Sequence, residues 1–204
     1  MAFVDDLTFE LFVLAFSGFV FVYLMSRLYL DYRHKKQRVQ ERLESASIAI
    51  LITGVYIFLI ALVSQITWFL PGAYNILFYD PFMALGVLMV AFALSARYKY
   101  KLQYVGLLGL LFGIMTIWYG VSAYDLGLTS EPLAMLALFV LFGAAGLLSY
   151  PITLILDALP GYKKRIWLGW NVILVLFWLF LVVGSLLAAY IGVSAVPAHL
   201  AKPP

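Results

Sequence analysis

Residues 166–193 read IWLGWNVILVLFWLFLVVGSLLAAYIGV, a run with no aspartate, glutamate, lysine, arginine or histidine. A helix that crosses the hydrocarbon core of a bilayer needs about 20 apolar residues. Hydrocarbon offers no partner to an open backbone, so a run of this kind reads as a membrane-spanning α-helix. A closed β-barrel would show alternating segments of about ten residues instead. Five further stretches share this character: Leu7–Leu30, Ile48–Leu70, Pro81–Ala96, Leu102–Ala123 and Pro132–Leu156. The third is short, and its start is placed in the aromatic segment Phe78-Tyr79.

The composition has room for all six. The chain has 204 residues, 65% of them hydrophobic, which is about 133 apolar positions. Charged residues make up only 11% and mean hydropathy is +1.03. Ordinary soluble domains carry roughly 25% charged residues. A water-soluble globule, a disordered chain and a nucleic-acid binder are thereby excluded. The expected fold class is an all-α integral membrane protein, a six-transmembrane-helix bundle forming one domain over residues 1–204. The acidic start, Met1-Ala2-Phe3-Val4-Asp5-Asp6, is unlike the basic start of a signal peptide. The first run is therefore read as a genuine span.

The basic residues set the expected orientation. Arg27, Arg33, Lys35, Lys36, Arg38 and Arg42 follow the first run. Arg97, Lys99 and Lys101 follow the third, and Lys163, Lys164 and Arg165 the fifth. One side thus holds 12 basic residues with Asp31, Glu41, Glu44 and Asp157, a net charge of +8. The other holds Lys202 with Asp5, Asp6, Glu10, Asp80, Asp125 and Glu131, a net charge of −5. The positive-inside rule makes the basic side cytoplasmic and puts both termini outside the plasma membrane. Partners expected from this are the bilayer itself and anionic lipids at the cytoplasmic face. The run Asp31–Glu44 reads as a solvated surface helix extending the first span. Trp and Tyr residues near both ends of the runs read as aromatic belts.

Two stretches look alike at an offset of 50 residues: Trp68, Ala73, Tyr74 and Trp118, Ala123, Tyr124. Acid-proline pairs follow them, Asp80-Pro81 and Glu131-Pro132. A unit of this kind would be a helical hairpin with a basic turn. An acid before a proline suits a helix start, with the acid as N-cap and the proline as first helical residue. Asp80 and Glu131 read as outer-face helix caps, with a cation-collecting ring as the alternative.

Small residues mark the expected packing faces. Gly106, Gly109, Gly113 and Gly120, with Thr116, fall within a stripe of about 80° at 100° per residue. Gly184 and Ala188 stand four apart in the sixth run. Such stripes let helix backbones approach closely, either within one chain or between copies. Pro151 removes one helical hydrogen bond inside the fifth run and frees the carbonyl of Leu147. No ionisable residue is expected near the bilayer centre. The deeper polar residues are neutral, and Gln65, Ser149 and Asn171 join Pro151 as the candidate pore or polar-cavity set.

The chain has no cysteine and only two histidines, His34 and His199, both outside the apolar runs. Thiolate metal sites, Fe–S clusters and a bis-histidine haem are excluded. No phosphate-binding glycine loop, metalloprotease helix or paired carboxylate appears in the spans. The expectation is no catalytic residue, no metal and no cofactor. The segment from Tyr79-Asp80-Pro81 through Pro151 resembles, in overall pattern, an uncharacterised prokaryotic, largely archaeal, family of multi-pass membrane proteins with no assigned function. A second likeness is to the acetate-uptake transporters, which are similar in length and have six helices. Their Asn-Pro-x-Pro-Leu-Gly signature is met here only by Asp80-Pro81-Phe82-Met83-Ala84-Leu85-Gly86. That stretch departs at the asparagine, the second proline and the spacing, so no binding residue carries over. Two functional expectations stand. One is a channel or transporter protomer for a small weakly polar or monoanionic solute. The other is a non-catalytic accessory subunit of a larger membrane complex, such as a respiratory one. The protein partners expected are a homo-oligomer or a larger membrane complex, and a native protein found only as a homo-oligomer would exclude the accessory role.

Overall fold

A chain in hydrocarbon must satisfy its backbone internally, and the helix does so residue by residue. The computed structural model describes residues 6–34, 38–159 and 168–201. Among them are six helices and no strand: α1 (Asp6–Arg33), α2 (Val39–Thr67), α3 (Tyr74–Arg97), α4 (Gln103–Asp125), α5 (Pro132–Ala158) and α6 (Leu168–Ala201). Each is long and apolar enough to cross a membrane.

The helices outrun the apolar stretches where polar residues find partners at the membrane surface. The stretch Asp31–Glu44 is not one surface helix. It is divided between the end of α1 and the start of α2. The cause is a periodic apolar face: Val39, Leu43, Ser47 and Ile50 are buried, while Glu41 and Ser45 are exposed. Arg42 then pairs with the buried Asp31 at 2.8 Å and fixes α2 against α1. The basic turn Lys163–Arg165 and Lys202 lie outside the described residues.

The third span also starts early, and this changes the role of a residue. It begins at Tyr74, six residues before Asp80, and carries Pro81 in its interior. Asp80 is therefore not a helix cap. The chain ahead of it is already organised for a helix start. Trp68 closes α2 in the left-handed conformation (φ 53°) and Gly72 turns the chain at φ 57°. The buried Asn75 accepts the backbone N–H of Leu70 at 3.1 Å. Glu131 does occupy the N-cap position of α5, with Pro132 following, but its side chain makes no capping hydrogen bond.

Each helix packs on the next, and α6 returns to α1, so the bundle closes into a ring. The most extensive pairings are α4 with α5, α2 with α3, and α1 with α6. Small residues make each of them possible. A Cβ at Gly86 (α3) would lie 2.6 Å from the Phe58 nitrogen of α2. One at Gly113 (α4) would lie 2.6 Å from the Gly143 carbonyl of α5. One at Gly18 (α1) would collide with the Ser185 hydroxyl of α6. At the first two crossings backbone meets backbone, and at the third Gly18 leaves the space that the Ser185 side chain fills.

Candidate functional site

A central cavity of about 220 Å³ lies among the helices of the ring. Side chains of α1, α3, α4, α5 and α6 form its wall, while α2 stands behind α3. On α1 the wall runs from Leu7 to Met25 and on α5 from Leu138 to Leu156. Each stretch is 18 rises of 1.5 Å, about 27 Å, so the cavity follows most of the depth of a bilayer core. Its surface is mainly apolar, built from residues such as Phe82, Met89, Phe142 and Leu181.

Four polar side chains interrupt that surface: Glu10, Thr116, Ser149 and Thr153. Glu10 lies in the first turns of α1 and is only 4% exposed. The three hydroxyls are committed to the backbone. Thr116 donates to the Phe112 carbonyl at 2.8 Å and Thr153 to the Tyr150 carbonyl at 2.9 Å. Ser149 lies 2.9 Å from the Gly106 carbonyl and 2.6 Å from the Gly146 carbonyl. Its single hydrogen serves one or the other.

A smaller cavity of about 130 Å³ lies at the basic end of the bundle, between Gln40, Lys99, Lys101 and Asp157. Leu156 belongs to the wall of both cavities and stands between them. This end is tightly tied. Both carboxylate oxygens of Asp157 on α5 accept backbone N–H groups at the start of α4, from Leu102 and Gln103, each at 3.0 Å. That satisfies two of the four donors a helix N-terminus leaves open, and places negative charge at the positive end of the dipole. Gln40 donates to the Ala96 carbonyl at 2.9 Å, and Lys99 pairs with Glu44 at 3.5 Å.

The residues singled out in the sequence do not form one site. Ser149 lines the central cavity; Gln65, Pro151 and Asn171 do not. Gln65 instead donates to Asp80, and the other Asp80 oxygen accepts the Tyr119 hydroxyl. This carboxylate bridges α2, α3 and α4 near the ends that lie away from the basic turns. Pro151 is half-buried within an uninterrupted α5, and Asn171 is half-buried near the start of α6. Gly106, Gly109 and Gly113 sit between the cavity and α5, within the chain. Gly184 abuts Phe142 and Leu141 of α5, and the fully buried Ala188 packs with Leu11, Ala15 and Leu138.

Three participants were not read from the sequence: Glu10 as cavity wall, Asp157 as the cap of another helix, and Asp80 as a bridge between helices. Their common signal is an acidic residue within a helical turn of an apolar run. The two copies of the Trp-Ala-Tyr pattern occupy different local structures. Trp68 and Ala73 lie in the α2–α3 connection, whereas Trp118 and Ala123 lie inside α4. No group of three or more His, Cys, Asp or Glu residues placed to hold a metal occurs among the described residues. No curated protein and no solved structure matches the chain. A family model described as "protein of unknown function (DUF981)" matches residues 1–202.

Proposed function

The chain belongs to the DUF981 family, a membrane family by its six spanning-length helices, and we propose that it is a channel or transporter protomer for a small, weakly polar solute. The observation that carries this reading is the cavity of about 220 Å³ inside a closed ring of helices. A pocket lined mainly by apolar side chains with a few convergent polar groups suits a small molecule. The polar cavity at the basic end supplies the second half of a route, with Leu156 as the barrier between them.

The same reading makes the protein non-catalytic. Its cavity hydroxyls are held by backbone carbonyls, which is not the arrangement of an activated nucleophile. We further read the basic end as cytoplasmic, in contact with anionic lipid, with both termini outside.

Osmotic shrinkage and reswelling of proteoliposomes tests the reading. Ethylene glycol and acetamide serve as neutral probes. Both should enter severalfold faster than in empty vesicles, and Ala145→Phe, which fills the cavity from a buried position, should abolish the difference. A monodisperse gel-filtration profile of the variant excludes misfolding as the cause. Rates equal to those of empty vesicles for both probes overturn the proposal.

A further inference from the structure

Two apolar clusters stand at the end of the central cavity away from the basic turns. One joins α1, α5 and α6 through Leu11, Ala15, Leu138 and Ala188. Ala15 and Ala188 are fully buried, so the helices pack closely there. The other joins α3, α4 and α5 through Leu77, Ala123 and Phe139, with Phe78 and Leu128 packed against it. At this end α3 enters the cavity wall at Phe78, and α5 enters it at Leu138 and Phe139. The Phe78 and Phe139 ring centroids lie 6.5 Å apart, within the range of aromatic contact. The two rings therefore meet between the cavity and the α4–α5 connection that carries Leu128.

The second cluster is held differently from the first. The pairing of α3 with α4 is one of the less extensive in the ring, and the glycines of these helices face α2 and α5 instead. Two hydroxyls tie this side together. Tyr119 of α4 donates to Asp80 of α3, and Tyr74, the first residue of α3, donates to the Leu128 carbonyl. The backbone bonds of Gly127 and Leu128 run back to the end of α4, so Tyr74 supplies the tie from the connection to α3. The Tyr74 ring also stacks on Phe78, with centroids 6.2 Å apart and planes 4° apart. One side chain thus holds both the connection and a ring of the cavity wall. Two features weaken the packed form of the connection. Gly127 turns at φ 60°, with open space where a Cβ would stand. The Thr129 hydroxyl is buried with no hydrogen-bond partner among the described residues, and an unpaired buried hydroxyl carries its full desolvation penalty.

We propose that the α4–α5 connection gates the central cavity, with Phe78 and Phe139 as the barrier and the Tyr74 hydroxyl on the Leu128 carbonyl as the latch. While the bond is made, the stack on Tyr74 holds the Phe78 ring against Phe139. When it breaks, the connection turns about Gly127, Leu128 leaves the cluster and the rings part. This rests on the cavity being the solute site, and it adds how that site opens.

The test is the rate at which a small water-soluble methanethiosulfonate modifies Thr116→Cys in the full chain in lipid nanodiscs. The chain has no other cysteine, and Thr116 lines the cavity. Modification through a rare open state follows the population of that state. Tyr74→Phe keeps the stack and loses one neutral hydrogen bond, so it should speed labelling about threefold to tenfold. Tyr124→Phe, at an exposed tyrosine of the same end of α4, should leave the rate unchanged. A purely structural bond would lower the melting midpoint of Tyr74→Phe and leave labelling as it was, and that result overturns the inference. Equal acceleration by Tyr124→Phe overturns it too. So does labelling of Thr116→Cys as fast as that of Gly127→Cys, or no labelling in any variant. If Tyr74→Phe does not fold, Phe78→Leu, which takes away a barrier ring, replaces it with the same expectation. Entry of ethylene glycol into vesicles judges the transport reading separately, since labelling that follows the latch would stand even if no solute crossed.

Discussion

Asp157 and Asp80 show how differently a single carboxylate serves this bundle according to its neighbours. Asp157 reaches from α5 to two backbone N–H groups at the start of α4, where no residue of α4 itself provides a cap. Asp157→Ala should destabilise the protein by about 2 kcal/mol, in the range of hydrogen bonds to a charged group. Asp157→Asn, which keeps one acceptor oxygen, should fall between. Thermal unfolding in detergent, followed by circular dichroism, measures the series; equal midpoints for the Ala variant and the unsubstituted protein would refute it. Asp80 joins Gln65 and Tyr119, so its removal should be coupled to theirs. A double-mutant cycle of Asp80→Ala with Tyr119→Phe should return a coupling of about 0.5–3 kcal/mol. Additive effects would mean the bridge contributes nothing. The sequence concealed both roles for one reason. A carboxylate beside a proline, or at the end of an apolar run, carries a local meaning as a cap or boundary. Its partners on α2 and α4 lie 15 and 39 residues away for Asp80, and nothing local points to them.

Between elements the governing fact is how close two backbones come. The glycine stripe of α4 was readable because period and residue size are both written in the sequence. Its pairing was not, because a stripe is half of an interface: α5 shows small residues at Ala137, Ala144, Ala145 and Gly146, but nothing in the sequence says that its Gly143 and Gly146 meet Gly113. Gly113→Leu forces a side chain into a space where even a Cβ would lie 2.6 Å from a carbonyl oxygen. The helices must separate, and overpacking costs about 1–3 kcal/mol or more. Leu111→Ala, on the lipid-facing side of the same helix at 52% exposure, should leave the melting midpoint within about 1 °C to 3 °C of the unsubstituted protein, because it removes no buried contact. Comparing the two separates helix packing from general hydrophobicity; similar losses in both would contradict the close crossing. The helix ends illustrate the same limit. Hydropathy marks where a span leaves hydrocarbon, and not where the helix stops, so α2 runs nine residues ahead of its apolar stretch to Val39.

For the whole molecule, six spans and their alternation follow from composition and charge alone, whereas the ring does not. Which helix neighbours which depends on faces that are apolar on every side, and an all-round apolar helix carries little directional signal. The cavity, being a property of the ring, was equally hidden. The proposed orientation has a direct check, since the chain lacks cysteine and any introduced one is unique. Gly127→Cys in the α4–α5 connection should react with a membrane-impermeant maleimide in intact cells, and Tyr98→Cys after α3 only after permeabilisation; the reverse pattern would invert the topology. The barrier between the two cavities is a second check on the scale of the entire conduit. Leu156 is 3% exposed, lines both cavities and is adjacent to the Asp157 cap. Leu156→Ala removes about three methyl-sized groups from that partition. The lost packing costs about 2–5 kcal/mol, which must be checked by unfolding, but it also joins the apolar cavity to the polar one. Ethylene glycol entry into proteoliposomes should then rise severalfold above the unsubstituted protein. Leu107→Ala, an exposed position on α4, should leave it unchanged. A folded Leu156→Ala protein with unaltered entry would show that the two cavities are separate spaces and that the route across the bundle lies elsewhere.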